Sequence, residues 1–101
     1  MANIDENDVR NVRQGLMEFL CINTRHSARH NGPTDFEIEQ IREEKFPAIL
    51  DQVYFNNIIT TIAKIHREIV INGSMVKLSA TGLDDCGDFV ANFQRDFKVN
   101  L

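Results

Sequence analysis

Asn72-Gly73 lies between two short runs of β-type residues, Glu68-Ile69-Val70-Ile71 and Ser74-Met75-Val76-Lys77-Leu78. An Asn-Gly pair flanked by alternating apolar residues is the strongest short-range hairpin signal, because both residues tolerate the positive φ of a tight turn. With these two as the loop, Ile71 faces Ser74, Ile69 faces Val76 and Glu68 faces Lys77. Ile69, Ile71, Val76 and Leu78 then share one face, suited to burial. Glu68, Val70, Met75 and Lys77 share the other, open to solvent or a partner. A Glu68–Lys77 pair across the strands contributes about 0.2–1 kcal/mol.

Helical patterns surround the hairpin. Val9, Val12, Leu16, Met17, Phe19 and Leu20 recur at three- and four-residue spacings and predict a helix over about Asp8 to Thr24. Asp5 and Asp8 suit its positive end. Gly15 inside it is a mild destabiliser unless a neighbour packs closely there. Arg25 to Pro33 is polar and ends in the breaker Asn31-Gly32-Pro33. Thr34-Asp35-Phe36-Glu37 matches a capping box and predicts a second helix to about Lys45. Phe46-Pro47 closes it. Ala48-Ile49-Leu50 reads as one helical turn or a small strand. Asp51 is placed to cap a third helix over Gln52 to Arg67. Tyr54, Phe55, Ile58, Ile59, Ile62, Ile65 and His66 line one side of that helix; Asn56, Asn57, Thr60, Lys64 and Arg67 line the other. A fourth helix is expected over about Gly82 to Phe97. Leu83, Cys86, Val90, Phe93 and Phe97 form a seam of two heptads, too short for a coiled coil.

The order helix, helix, helix, strand, strand, helix is that of winged-helix domains, which often add a short strand before the third helix. The step Leu78-Ser79-Ala80-Thr81-Gly82 resembles the end of the second wing strand in small bacterial and phage winged-helix proteins. The resemblance spans about Val9 to Phe93. It implies a single domain over residues 1–101, mainly α with a small two-stranded wing over 68–79 and a C-terminal helix. It also implies a DNA-binding transcriptional regulator whose third helix, 52–67, enters the major groove.

The residues carry that expectation some distance. Gln52, Asn56, Asn57 and Thr60 are types that read base edges, and Lys64 meets guanine or phosphate. Arg67 and Lys77 add positive charge for the DNA backbone. The net charge of −4 pulls the other way and keeps a second reading open, a non-enzymatic protein-interaction module. The partner is therefore double-stranded DNA or a protein. The seam Leu83, Cys86, Val90, Phe93 and Phe97 is the expected interface of a homodimer.

No P-loop, dinucleotide glycine pattern, nucleophile elbow or zinc-type cysteine pairing is present, so neither an enzyme nor a cofactor is expected. His26 and His30 stand four apart but lack a third ligand, and no metal site is expected. Asp84, Asp85 and Asp88 suit the start of the last helix. No apolar run approaches the roughly 20 residues that span a bilayer, and the opening residues lack the features of a secretory signal. A cytoplasmic location is expected, with Cys21 and Cys86 as small core thiols. A disulfide between them requires the first and last helices to be adjacent.

Overall fold

The computed structural model describes residues 4–91. It is mainly helical, with a small three-stranded antiparallel sheet. Helix α1 (Glu6–His30) leads through strand β1 (Phe36–Glu37) into α2 (Ile38–Lys45) and α3 (Gln52–His66). The hairpin strands β2 (Ile69–Asn72) and β3 (Met75–Leu78) follow, then α4 (Ala80–Asp85) and one 3₁₀ turn, Cys86–Asp88. The sheet order is β1-β3-β2.

Helix α1 runs well beyond the expected Thr24. Thr24 and Ser27 continue its buried stripe after Leu20 and Cys21, and their polarity hides the periodicity. The helix stops where Asn31 takes the left-handed conformation at φ 56°, while the Gly32 amide donates to the Ser27 carbonyl at 2.9 Å. At the other end the Asp5 side chain accepts from the Asn7 amide. Gly15 does have a close neighbour: a Cβ there would lie 2.7 Å from the tip of the Phe46 ring.

The expected capping box is not formed. Phe36 and Glu37 instead pair with Val76 and Met75 of β3. The first amide of α2, on Ile38, donates to the Ser74 carbonyl at the hairpin tip, 2.9 Å away. Tertiary pairing thus supplies what the cap would have supplied. The added strand precedes α2, not α3, and makes the expected two-stranded unit three-stranded. Ala48-Ile49-Leu50 forms neither helix nor strand.

The hairpin loop is Gly73-Ser74, not Asn72-Gly73. Gly73 takes φ +63°, and the pairs are Ile69 with Leu78, Val70 with Lys77, Ile71 with Val76, and Asn72 with Met75. This is the preference of a type II′ turn for glycine at its first central position. Each partner moves by two residues, so the faces survive: Ile69, Val76 and Leu78 are buried and Val70 and Lys77 exposed. Glu68 is the exception. It lies before β2 and is fully buried, not paired with Lys77.

The core joins Val12, Leu16, Met17 and Leu20 of α1 to Ile41 of α2, to Phe55, Ile58, Ile59 and Ile62 of α3, and to the inner face of the hairpin. Ile65, expected on the buried side of α3, is 65% exposed. Cys21 and Cys86 form a disulfide with Cα atoms 5.7 Å apart, so they are not the free thiols expected. The bond fixes the 3₁₀ turn to α1. The helical end of the chain is correspondingly short: α4 stops at Asp85 instead of running on toward Phe97, and residues beyond 91 lie outside the described range. No described helix is long and apolar enough to cross a membrane.

Candidate nucleic-acid interface

Asp51 starts α3 as expected. Its carboxylate accepts from the amides of Val53 (2.9 Å) and Tyr54 (3.2 Å). Tyr54 ties this end to α1: its hydroxyl donates to Asp8 Oδ2 at 2.6 Å and accepts from the Asp5 amide at 3.2 Å. One side of α3 is then committed to the core, and the opposite side is left uncovered. Gln52, Asn56, Asn57, Thr60 and Lys64 all lie exposed on it. Val53 stands among them, 68% exposed, and Leu50 just before the helix is 84% exposed. Neither apolar residue was singled out from sequence. The signal was there, since Val53 falls on the polar side of the wheel.

The hydrogen-bonding state of this face is specific. Thr60 Oγ1 donates to the Asn56 carbonyl at 2.9 Å, and Thr61 Oγ1 donates to the Asn57 carbonyl at 2.8 Å. Each threonine hydroxyl therefore has its proton engaged and keeps only its acceptor capacity. Among the described residues the side-chain amides of Gln52, Asn56 and Asn57 make no hydrogen bond.

A shallow groove of about 160 Å³ separates α3 from the hairpin tip, lined by Ile38, Glu39, Gln52, Asn56, Thr60, Ile71, Gly73 and Ser74. Its one carboxylate, Glu39, is held by Arg42. The Arg42 Nε donates to Glu39 Oε1 at 2.9 Å, and this bond lowers the Glu39 pKa and raises that of Arg42. Arg42 Nη1 also donates to the Ile49 carbonyl at 2.6 Å, which fixes the turn between α2 and α3. Two of the expected cations are displaced from the centre of this face. Arg67 caps the far end of α3 at φ 56°. Lys77 is on the outer surface of the sheet, beside a second groove with Asp35, Val70 and Met75.

Behind the hairpin lies a charged cluster that sequence reasoning missed. Arg13 binds buried Glu68 through two hydrogen bonds of 2.9 Å and stacks over Phe89, 5.0 Å from its centroid. Burial pushes the Glu68 carboxyl up. The hydrogen bonds from Arg13 and Asp85 and the nearby positive charge outweigh it, and the pKa falls below its usual value. Asp85 moves up, because it shares a hydrogen bond with Glu68, is partly desolvated and feels the Glu68 charge. The strand alternation that assigned Glu68 to the outer face fails because Arg67, in the left-handed conformation, turns the chain just before β2.

The expected dimer seam is divided. Leu83 is exposed, Val90 is half-buried against the core, and Cys86 is fully buried in the disulfide. Phe93 and Phe97 lie outside the described residues. His26 and His30 lie with ring centroids 4.4 Å apart, tilted by 42°, on the exposed end of α1. Among the described residues no group of three or more His, Cys, Asp or Glu is arranged to hold a metal ion. Comparisons of the chain with protein-family models, with curated proteins and with solved structures gave no match.

Proposed function

We propose that this chain is a small winged-helix DNA-binding protein, a transcriptional regulator that places α3 in the major groove and acts as a homodimer without enzymatic chemistry. The observation that carries this reading is the uncovered face of α3, where three unengaged amides and Lys64 stand together. The element order and the hairpin following α3 support it. A helix fits the major groove, and the N-terminal half of a recognition helix is the part that meets base edges. Phosphate contacts supply most of the affinity, and α3 offers Lys64 and Arg67 for them. Two contacts per monomer give a slope of about −2 in log K against log salt, doubled in a dimer.

A salt series of gel-shift measurements on mixed-sequence duplex tests this. Retardation at low salt that declines with that slope supports it, and weakening by Lys64→Ala supports α3 as the contact. No retardation of any duplex at low salt overturns it.

Exposed Leu50 and Val53, with the net charge of −4, favour a second reading in which the same face binds a protein. A partner that co-purifies after nuclease treatment and is lost in Val53→Asp supports that reading over the first.

A further inference from the structure

We infer that α3 reads a site centred on A·T pairs, with thymine methyl groups recognised by Val53 and Thr60 and adenine by Asn57 and Asn56. This rests on the DNA-binding reading above and specifies its target. The spacing places Val53, Asn57, Thr60 and Lys64 along one stripe, with Asn56 and Gln52 beside it. All six are exposed. Val53 is the only purely apolar member of the stripe, and it stands in its N-terminal half, 68% exposed.

The chemistry of these groups sorts the four base-pair orientations. An amide carries one donor and one acceptor in the geometry that matches adenine N6 and N7. The amides of Asn56 and Asn57 are unengaged among the described residues, so that pairing displaces no internal bond. Thr60 has already given its hydroxyl proton to the Asn56 carbonyl, so it offers a base a methyl group and an acceptor oxygen but no donor, which suits a thymine methyl or an adenine N6. Val53 has only methyl groups. Thymine alone among the bases presents a methyl in the major groove. Guanine is best met by arginine or lysine, and the stripe places its only cation, Lys64, toward the C-terminal end. The centre of the face therefore favours A·T, and a G·C pair fits only at the edge under Lys64.

The test uses the full chain and a randomised duplex library, with retained duplexes sequenced and their affinities compared. A·T enrichment at the centre of the retained sites is expected. Replacing a contacted thymine by uracil removes only the methyl and should weaken binding about fourfold. That loss should shrink at one thymine in Val53→Ala and vanish there in Val53→Asn. Asn57→Arg should move the preference at one position from adenine to guanine by roughly tenfold or more. Both positions are exposed, and circular dichroism checks that the variants fold. Retained duplexes without base enrichment, or with a G·C centre, overturn the inference and leave the DNA-binding reading standing. Retention of no duplex at low salt overturns the DNA-binding reading itself.

Discussion

Gly82 is the residue with least room to change. A Cβ there would lie 2.0 Å from the Glu68 carbonyl oxygen, which is backbone and fixed by the Ser79 amide at 2.9 Å. Gly82→Ala gains up to about 1 kcal/mol of helix propensity but forces α4 away from the hairpin at about 3 kcal/mol, for a net loss of about 2 kcal/mol. Urea unfolding measures it; no loss of stability would contradict the packing. Asp85 offers a pH test. Glu68, with its lowered pKa, stabilises the fold above its ordinary range, and that contribution is lost as pH falls through its folded value. Asp85 is the reverse case. Its raised pKa stabilises the fold at low pH, and that contribution disappears as pH rises through the folded value. Stability attributable to this pair should therefore peak near the ordinary carboxylate range, about pH 4. Asp85→Asn keeps a neutral donor toward Glu68 at every pH. It should raise the thermal midpoint at pH 7 and change it little at pH 4. An equal effect at both pH values would show that Asp85 does not titrate against Glu68.

The elements test how local the folding information is. Helix α4 is short, and Ser79 is its anchor: Oγ accepts from the Gly82 amide at 3.0 Å and donates to the Arg67 carbonyl at 2.6 Å. Ser79→Ala removes both bonds and should cost about 1–2 kcal/mol, while Ser79→Thr retains them. Thermal unfolding followed by circular dichroism should show a drop of several degrees for alanine only. The same geometry explains the Leu78-Ser79-Ala80-Thr81-Gly82 step, where serine caps the helix and glycine admits the carbonyl. Where a local rule had no competitor, it was legible: Asp51 caps α3, and the hairpin faces follow from alternation. Local rules failed where a distant partner replaced a local one. Thr34 to Glu37 reads as a capping box, but the Ser74 carbonyl meets the first amide of α2, and β3 takes Phe36 and Glu37 as a strand. The hairpin register slipped for a smaller reason. Asn72 and Gly73 both tolerate positive φ, and only the folded chain shows that Gly73 alone adopts it. For the candidate interface, the helical wheel found the amide face of α3, and strand alternation put Lys77 on the outer face of the hairpin with Val70 and Met75.

On the scale of the whole molecule, the two ends of the described chain are held together by contacts that no local pattern encodes. Cys21 lies within the buried stripe of α1, Cys86 lies in the 3₁₀ turn, and 65 residues separate them. Each reads in sequence as an ordinary core residue, because burial and disulfide bonding favour the same positions. Around the disulfide, Arg13 reaches Glu68 and Phe89, so α1, the hairpin entry and the 3₁₀ turn share one joint. α3 meets this joint only at its C-terminal end, where Arg67 leads into Glu68, and its N-terminal end is held by the core and by the Tyr54–Asp8 bond. This separation sets the final prediction. Closing a loop of that size restricts the unfolded chain by about 4 kcal/mol in the chain-entropy account. The double variant Cys21→Ala/Cys86→Ala should lose stability of that order, with the small cavities left adding a little to the loss. The intact protein treated with reductant should lose a similar amount, and the variant should not respond to reductant at all. Duplex binding measured well below the unfolding transition should be the same for all three, because the uncovered face of α3 takes no contact from the disulfide. If the variant and the reduced protein unfold at the same urea concentration as the oxidised protein, the crosslink does not constrain the chain. If binding falls in step with reduction while the fold persists, the joint is coupled to α3 and the separation drawn between them is wrong.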